Sequence, residues 1–429
     1  MDDRALVLEA VDAEVDAMVA ALARLVRVPS LTGSAAEHEV VALLAADLAA
    51  DGLDVDHWRL PLGELRDLPD CPRGEVARDE AWGVVGRLAG TGGGATLMLD
   101  GHVDVVPAGD LAAWRAGDPF SGRVAGGAVH GRGACDMKGG LVAARWAVRA
   151  LARSGVALRG DVLVAGVESE EDGGLGTFGL LARGWRADAC VVPEPTALDL
   201  VPACAGALTF RLRVRGRSAH ASRRTDGVSA VDKLWPLWRA LADLEARRNA
   251  APDPLMARWP VPYPLSIGVV RAGDWASSVP DLLVAEGRLG VALGEEPAAA
   301  RRDLEAAVAE AGAADPWLRD HPAEVEWWGG QFASGQLPEG SDLVARVGAA
   351  HRAAVGARGA PAGAGDPPAV WGAPYGSDLR LLTGLGGIPT VHYGPGDSAA
   401  AHAPDESVAV AEVHTAARAL AVLALDVCG

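Results

Sequence analysis

The stretch Thr96-Leu97-Met98-Leu99, running through Asp100 into Gly101-His102-Val103-Asp104, decides the reading of this chain. It is an apolar run of strand length that ends in side chains able to do chemistry. Working outward from it, short apolar runs alternate with helical patterns: a helix from Gly139 to Arg153, then strands near Val162 to Val167 and Ala189 to Val192. That alternation predicts an α/β fold with a largely parallel sheet flanked by helices. In such sheets ligands gather where the strands end. His102 and Asp104 are two residues apart, so in extended chain their side chains point the same way.

From Ala207 the texture changes. Leu208, Phe210, Leu212 and Val214 alternate with Thr209, Arg211, Arg213 and Arg215, the pattern of a half-exposed strand. A helical stretch (Val228 to Arg248), strands at Leu265 to Arg271 and Leu282 to Leu293, a helix (Ala298 to Ala311) and a strand around Val325 to Trp328 follow. The order β-α-β-β-α-β is that of a small ferredoxin-like domain. Its predicted bounds are 206–330, inserted into a first domain made of 1–205 and 331–429, which resumes with a helix near Asp342 to Val355 and a strand Pro389 to Tyr393. The Gly/Ala/Pro-rich patch Gly356 to Pro368 reads as a surface loop.

At 429 residues, half of them hydrophobic, the chain has material for two or three cored domains. A formal charge of −18 repels phosphate backbones and anionic headgroups, which argues against nucleic-acid and membrane partners. The best apolar stretch is interrupted by Arg145 and Arg149, and no signal peptide is visible, because Leu8, Val11, Val15, Met18, Val19, Leu22, Leu25 and Val26 read as an amphipathic first helix. Five cysteines without a Cys-x-x-Cys pair fit neither a disulfide framework nor a thiolate metal site, and a reducing, cytoplasmic setting is the expectation. The 13 tryptophans read as core and interface packing.

Four further features carry chemistry, and three of them, taken alone, have a plain structural alternative. Asp136 sits in the glycine-dense turn Gly131 to Gly140, where an N-cap is the ordinary use of aspartate. Glu168-Ser169-Glu170-Glu171-Asp172 crowds four carboxylates, which a cation or plain solvation must relieve. Glu194 is held between Pro193 and Pro195, and His402 follows Gly394-Pro395-Gly396 as an otherwise unremarked loop histidine. Together His102, Asp136, Glu171, Glu194 and His402 offer two imidazoles and three carboxylates, a donor mix that suits zinc, and a shared carboxylate suits two ions about 3.5–4 Å apart. A carboxylate such as Asp104 is the usual partner that orients a ligating imidazole.

These segments resemble the zinc amidohydrolase and peptidase family that includes acetylornithine deacetylase, succinyl-diaminopimelate desuccinylase, aminoacylase and carboxypeptidase G. The resemblance runs over nearly the whole chain. It rests on Gly101 to Pro107, Gly131 to Gly140, Glu170 to Gly174, Glu194 to Thr196, Gly216-Arg-Ser-Ala-His220, and Gly394 to Gly396 with Ala401 to Glu406, in that order. It implies that Asp136 bridges two zinc ions, with His102 and Glu194 completing one site and Glu171 and His402 the other. Cobalt or manganese are possible substitutes. Glu170 would then be the general base, Asp104 the orienting residue and the bond after Asp136 cis. The inserted domain would be a lid and dimerisation domain, with His220 reaching the site of a second subunit in a homodimer.

Two positions depart from the family pattern: Ser277 stands where Asn is usual and Ser169 where an acid is usual. Arg288 and Arg380 are candidate anchors for a substrate carboxylate, with structural ion pairing as the competing reading. The function expected is hydrolysis of an amide bond in an N-acyl amino acid or related small carboxylate-bearing substrate. Glu194, where the family's aminopeptidases carry Asp, tilts this toward a deacylase and away from a dipeptidase or aminopeptidase. An inactive binding subunit would lack a ligand or the base, and none is missing.

Overall fold

The computed structural model describes residues 2–115, 117–356 and 367–429. The chain divides into two compact units: Met1–Pro202 with Gln336–Trp371 and Leu381–Gly429, and Ala203–Gly335 with Gly372–Arg380. Most of the patch read as a surface loop, Gly356 to Pro368, lies outside the described residues.

The first unit is built on a sheet in which the strands Asp54–Arg59, Trp82–Leu88, Val162–Val167, Leu97–His102, Ala189–Val192 and Thr390–His392 lie side by side in that order. The last four run parallel to one another. Every residue of Leu97–His102 and Val162–Val167 is buried, as strands covered on both faces require. The edge pair Asp54–Arg59 and Trp82–Leu88 is antiparallel and escaped the sequence reading. Gly83 and Gly86 interrupt its apolar pattern, because Trp58 and Leu48 press on them where side chains would stand.

The helix Gly139–Ser154, expected from Gly139 to Arg153, packs into the core with twelve buried positions, whereas the helices Ala35–Ala50 and Val410–Cys428 were not anticipated. Alanine occupies so much of the circumference of both that the apolar stripe is blurred in sequence. The arginines that break the best apolar run meet acids: Arg145 pairs with Asp47 at 2.6 Å and Asp51 at 2.7 Å, and Arg149 with Glu14 at 2.5 Å. No helix among the described residues is long and apolar enough to cross a membrane. The single N-terminal helix expected from the sequence is in fact two, Asp3–Asp12 and Val15–Val26. The break has a cause, since Asp12 is drawn to Arg418 and Glu14 to Arg149 and Arg153.

The second unit is an antiparallel sheet ordered Leu265–Ala272, Leu282–Val291, Gly206–Arg215, Glu324–Phe332, with the helices Ala230–Arg248 and Pro297–Ala314 in the connections. This is the ferredoxin-like arrangement. Leu208, Phe210, Leu212 and Val214 are fully buried with Leu237, Leu241 and Leu304, each such side chain contributing about 1.5–3 kcal/mol. The alternate residues face outward, where Arg211 pairs with Glu286 at 2.9 Å and Glu326 at 3.1 Å. The molecule is therefore α/β, with a central parallel sheet and a separate ferredoxin-like unit.

Candidate metal centre

Four parallel strands end on one side of the sheet, and each delivers part of a cluster. His102 is the last residue of its strand and is buried. Its Nδ1 lies 2.9 Å from the backbone carbonyl of Asp104, an atom that only accepts. Nδ1 must therefore carry the ring proton, and a neutral ring presents a lone pair at Nε2. That Nε2 is 3.2 Å from Asp136 Oδ1 and 4.0 Å from Glu194 Oε1. The other oxygen of Asp136, Oδ2, is 3.3 Å from His402 Nε2, which in turn lies 3.1 Å from Glu171 Oε2. Ligand atoms of His102, Asp136 and Glu171 all fall within 4.8 Å of one another.

Asp136 is not a helix cap: the helix Gly139–Ser154 begins at Lys138 without a side-chain cap. The bond after Asp136 is cis, as the resemblance implies. Gly140 lets this helix abut the strand end that carries Glu194, because a Cβ there would stand 1.8 Å from the Pro193 carbonyl oxygen. Glu406, quoted in the sequence but given no role there, fixes the turn: one carboxylate oxygen accepts from the amides of Cys135 at 3.0 Å and Asp136 at 3.1 Å, and the other takes Arg132 at 2.5 Å. Its position four residues after His402 was the available signal.

Asp104 does more than the sequence suggested. Its carboxylate is 3.7 Å from His102 Nδ1, while the same two oxygens accept the amides of Glu170 at 3.1 Å and Glu171 at 3.2 Å and the Thr32 hydroxyl at 2.9 Å. It ties the Glu170–Glu171 turn to the strand end at His102. The acidic run is not a solvated loop, since Glu168, Glu170 and Asp172 are all buried.

Carboxylates dominate the electrostatics of the cluster. Burial opposes charge on His102, but Asp136, Glu194, Asp104 and Glu170 outweigh it and hold its pKa well above the ordinary value. Hydrogen bonds to Asp136 and Glu171 push His402 up to about 10. Burial, with Asp136 beside it, raises Glu171. Without metal the protonated rings offset these carboxylates 3.1–3.3 Å away, and a bound cation would take over that role once the rings give up their Nε2 protons. The donor set, two imidazole nitrogens and three carboxylates with one carboxylate directed both ways, fits a pair of divalent metal ions.

His220, Arg288 and Arg380 belong to the second unit. His220 is exposed, and its Nδ1 accepts from the Ser222 amide at 3.2 Å, which places the ring proton on Nε2. Ser277, the departing position, contributes its backbone carbonyl to the Ala221 amide at 2.8 Å. Arg288 donates to the Pro374 carbonyl at 3.3 Å, and burial lowers its pKa. The structural ion pair weighed for it is not found, for no carboxylate pairs with it among the described residues. Arg380 lies over the Phe332 ring, 4.6 Å from its centroid.

Residues 98–426 match the model of peptidase family M20/M25/M40. An N-formyl-4-amino-5-aminomethyl-2-methylpyrimidine deformylase from Halalkalibacterium halodurans is 27% identical over 74% of this chain and 76% of its own length. A succinyl-diaminopimelate desuccinylase from Methylobacterium nodulans is 38% identical over 46% of this chain, and the match spans about half (48%) of that relative's length. The crystal structure of human carnosine dipeptidase 1 shares the fold, with a TM-score of 0.77 at 15% identity, covering 100% of this chain and 99% of that one. The chain thus belongs to peptidase family M20/M25/M40 and is a metal-dependent amidohydrolase.

Proposed function

We propose that this enzyme is a two-zinc deacylase of the acetylornithine deacetylase and succinyl-diaminopimelate desuccinylase kind, cleaving the amide bond of an N-acyl amino acid or related small carboxylate-bearing substrate. The observation that carries the reading is the split of Asp136, one oxygen 3.2 Å from His102 and the other 3.3 Å from His402, which supports two metal positions sharing one carboxylate. His102, Asp136 and Glu194 would hold one ion, and Asp136, Glu171 and His402 the other. When bound, the metals supply Lewis-acid polarisation of the amide carbonyl and make water easier to deprotonate.

The rest falls to the chain's own residues. Glu170 takes a proton from the attacking water at its carboxylate and delivers it to the leaving amine. Asp104 holds the amides of Glu170 and Glu171, so base and ligand are presented together. His220, with its proton on Nε2, is a hydrogen-bond donor suited to the oxyanion that develops on the carbonyl. Arg288, a half-buried residue whose guanidinium meets a carbonyl oxygen and no carboxylate among the described residues, suits a substrate carboxylate, and Arg380 is the second candidate.

We also propose that residues 206–330 form an inserted lid and dimerisation domain, with His220 serving the partner's site in a homodimer. Two features support this. The strand Leu265–Ala272 is at the edge of its sheet, and large apolar side chains of the unit lie bare, including Trp235 at 65% and Trp275 at 72% exposure. All five cysteines are free thiols, which supports a cytoplasmic setting.

Release of free amine from N-acetyl, N-succinyl and N-formyl amino acids and from dipeptides, with chelator or added zinc, tests the reading. Chelator-sensitive turnover of N-acyl amino acids is the expected result. Turnover of dipeptides alone would replace the deacylase with a dipeptidase. No hydrolysis by protein holding two metals per chain would overturn the substrate class.

A further inference from the structure

We infer that Arg78 is a positioning residue for the Glu170–Glu171 turn, anchoring segment 72–78 against the acidic run that carries the base. The inference rests on the assignment of Glu170 as that base.

The turn has unusual demands. It follows the strand Val162–Val167, passes through Ser169 in a left-handed conformation (φ 67°), and must present two carboxylates toward the metal positions. It does so on a bed of buried carboxyl groups, whose pKa values burial raises, Glu37 to about 9. Glu37 and Glu168 are fully buried and Asp172 nearly so. The Arg78 guanidinium, itself buried, reaches all three: 3.3 Å to Glu37, 3.8 Å to Glu168 and 3.6 Å to Asp172. His38, half-buried, also meets Glu168, at 2.8 Å.

From Arg78 the bracing runs to both ends of the turn. Glu168 precedes it, and its Oε2 accepts the Trp82 amide at 3.0 Å. Asp172 closes it, hydrogen-bonded to the Ser169 hydroxyl and to the Val76 amide at 3.2 Å. Glu37 accepts the Gly33 amide at 2.7 Å, next to Thr32, whose hydroxyl holds Asp104, the residue that grips the amides of Glu170 and Glu171. Segment 72–78 lies directly on the turn, because a Cβ on Gly74 would stand 2.5 Å from Asp172 Oδ2. A planar guanidinium with several donors spans three carboxylates in a way an ammonium cannot. Without it three buried acids lose the one side chain that joins them at both ends of the turn, and the base shifts while the ligands on other strands stay in place.

The test compares Arg78→Met, Arg78→Lys and Glu170→Gln with the wild type, all zinc-loaded, by metal content, by kcat and KM on the N-acyl amino acid panel, and by amide hydrogen exchange at Glu170 and Glu171. Arg78→Met is expected to keep its metal and its KM and to lose about a hundredfold in kcat, the scale of a misplaced catalytic group. Exchange at the two amides should accelerate, and Arg78→Lys should recover part of kcat. Wild-type kcat with unchanged exchange in Arg78→Met overturns the inference, as does a kcat loss that only follows loss of metal. If the Met variant does not fold, Arg78→Lys decides alone: lowered kcat with faster exchange supports the inference, and wild-type values of both overturn it. Normal turnover by Glu170→Gln would instead sink the base assignment; an inactive Glu170→Gln beside a fully active Arg78→Met sinks only the role of Arg78.

Discussion

The two units carry their candidate residues in opposite ways. In the first, His102, Asp104, Glu170 and Glu194 are buried and braced by groups distant in sequence, as Asp136 is by Glu406 and the Glu170–Glu171 turn is by Asp104. In the second, His220 is exposed and held by Ser222, two residues away, and Arg288 meets one carbonyl oxygen. The difference separates two jobs. Placing metal ions demands fixed geometry against mutual repulsion, which only burial and cross-bracing supply, whereas a donor or anchor for a substrate that comes and goes must stay accessible. Substitutions in the first unit should therefore act on metal or chemistry, and those in the second on turnover or substrate binding with the metals untouched.

The sharpest way to break that division is Glu170→Gln. It should leave metal content intact by elemental analysis and reduce kcat by about 10²- to 10⁴-fold; loss of metal would show that Glu170 is a ligand and not the base. His220→Ala should cost about 10²- to 10³-fold in kcat at full metal content, as removal of an oxyanion donor does elsewhere. Mixing this variant with Glu170→Gln sharpens the point: if the histidine acts across a dimer, hybrid dimers regain activity, and a failure to complement places it in its own subunit's site. Smaller again is Arg288→Met, for which KM should rise by roughly tenfold or more, the value of a charge-assisted hydrogen bond to a carboxylate; a fall in kcat at constant KM would reassign it.

The least effect is a thermodynamic one, confined to the first unit. His402 is held up to about 10, so below that pH the metal-free ring is protonated and must release its proton to ligate. Titration calorimetry of zinc into metal-free protein near pH 7.5, in buffers of different ionisation enthalpy, should show net proton release and affinity that weakens as pH falls. Proton uptake, or indifference to pH between 6 and 8, would remove His402 from the ligand set.

Several features were legible before any coordinates. The strands Val162–Val167 and Ala189–Val192 stand where the apolar runs put them, and the alternation from Leu208 to Val214 marks the half-exposed strand and the ferredoxin-like order that follows. Buried strands and amphipathic faces write their periodicity into the chain, so local reading suffices. The edge pair Asp54–Arg59 and Trp82–Leu88 was hidden, because glycines required by Trp58 and Leu48 erase the pattern.

For the site, local reading reached the residue types: which imidazoles and carboxylates follow which strands, a donor set that suits metal. Tertiary structure alone decided how they are held. Glu406 reaches Asp136 across 270 residues, Asp104 grips the amides of Glu170 and Glu171, and Arg78 lies among Glu37, Glu168 and Asp172. Such contacts leave no trace in local patterning. They are hydrogen bonds and charge pairs between segments far apart in the chain, and their geometry exists only once the sheet has set the strand ends side by side.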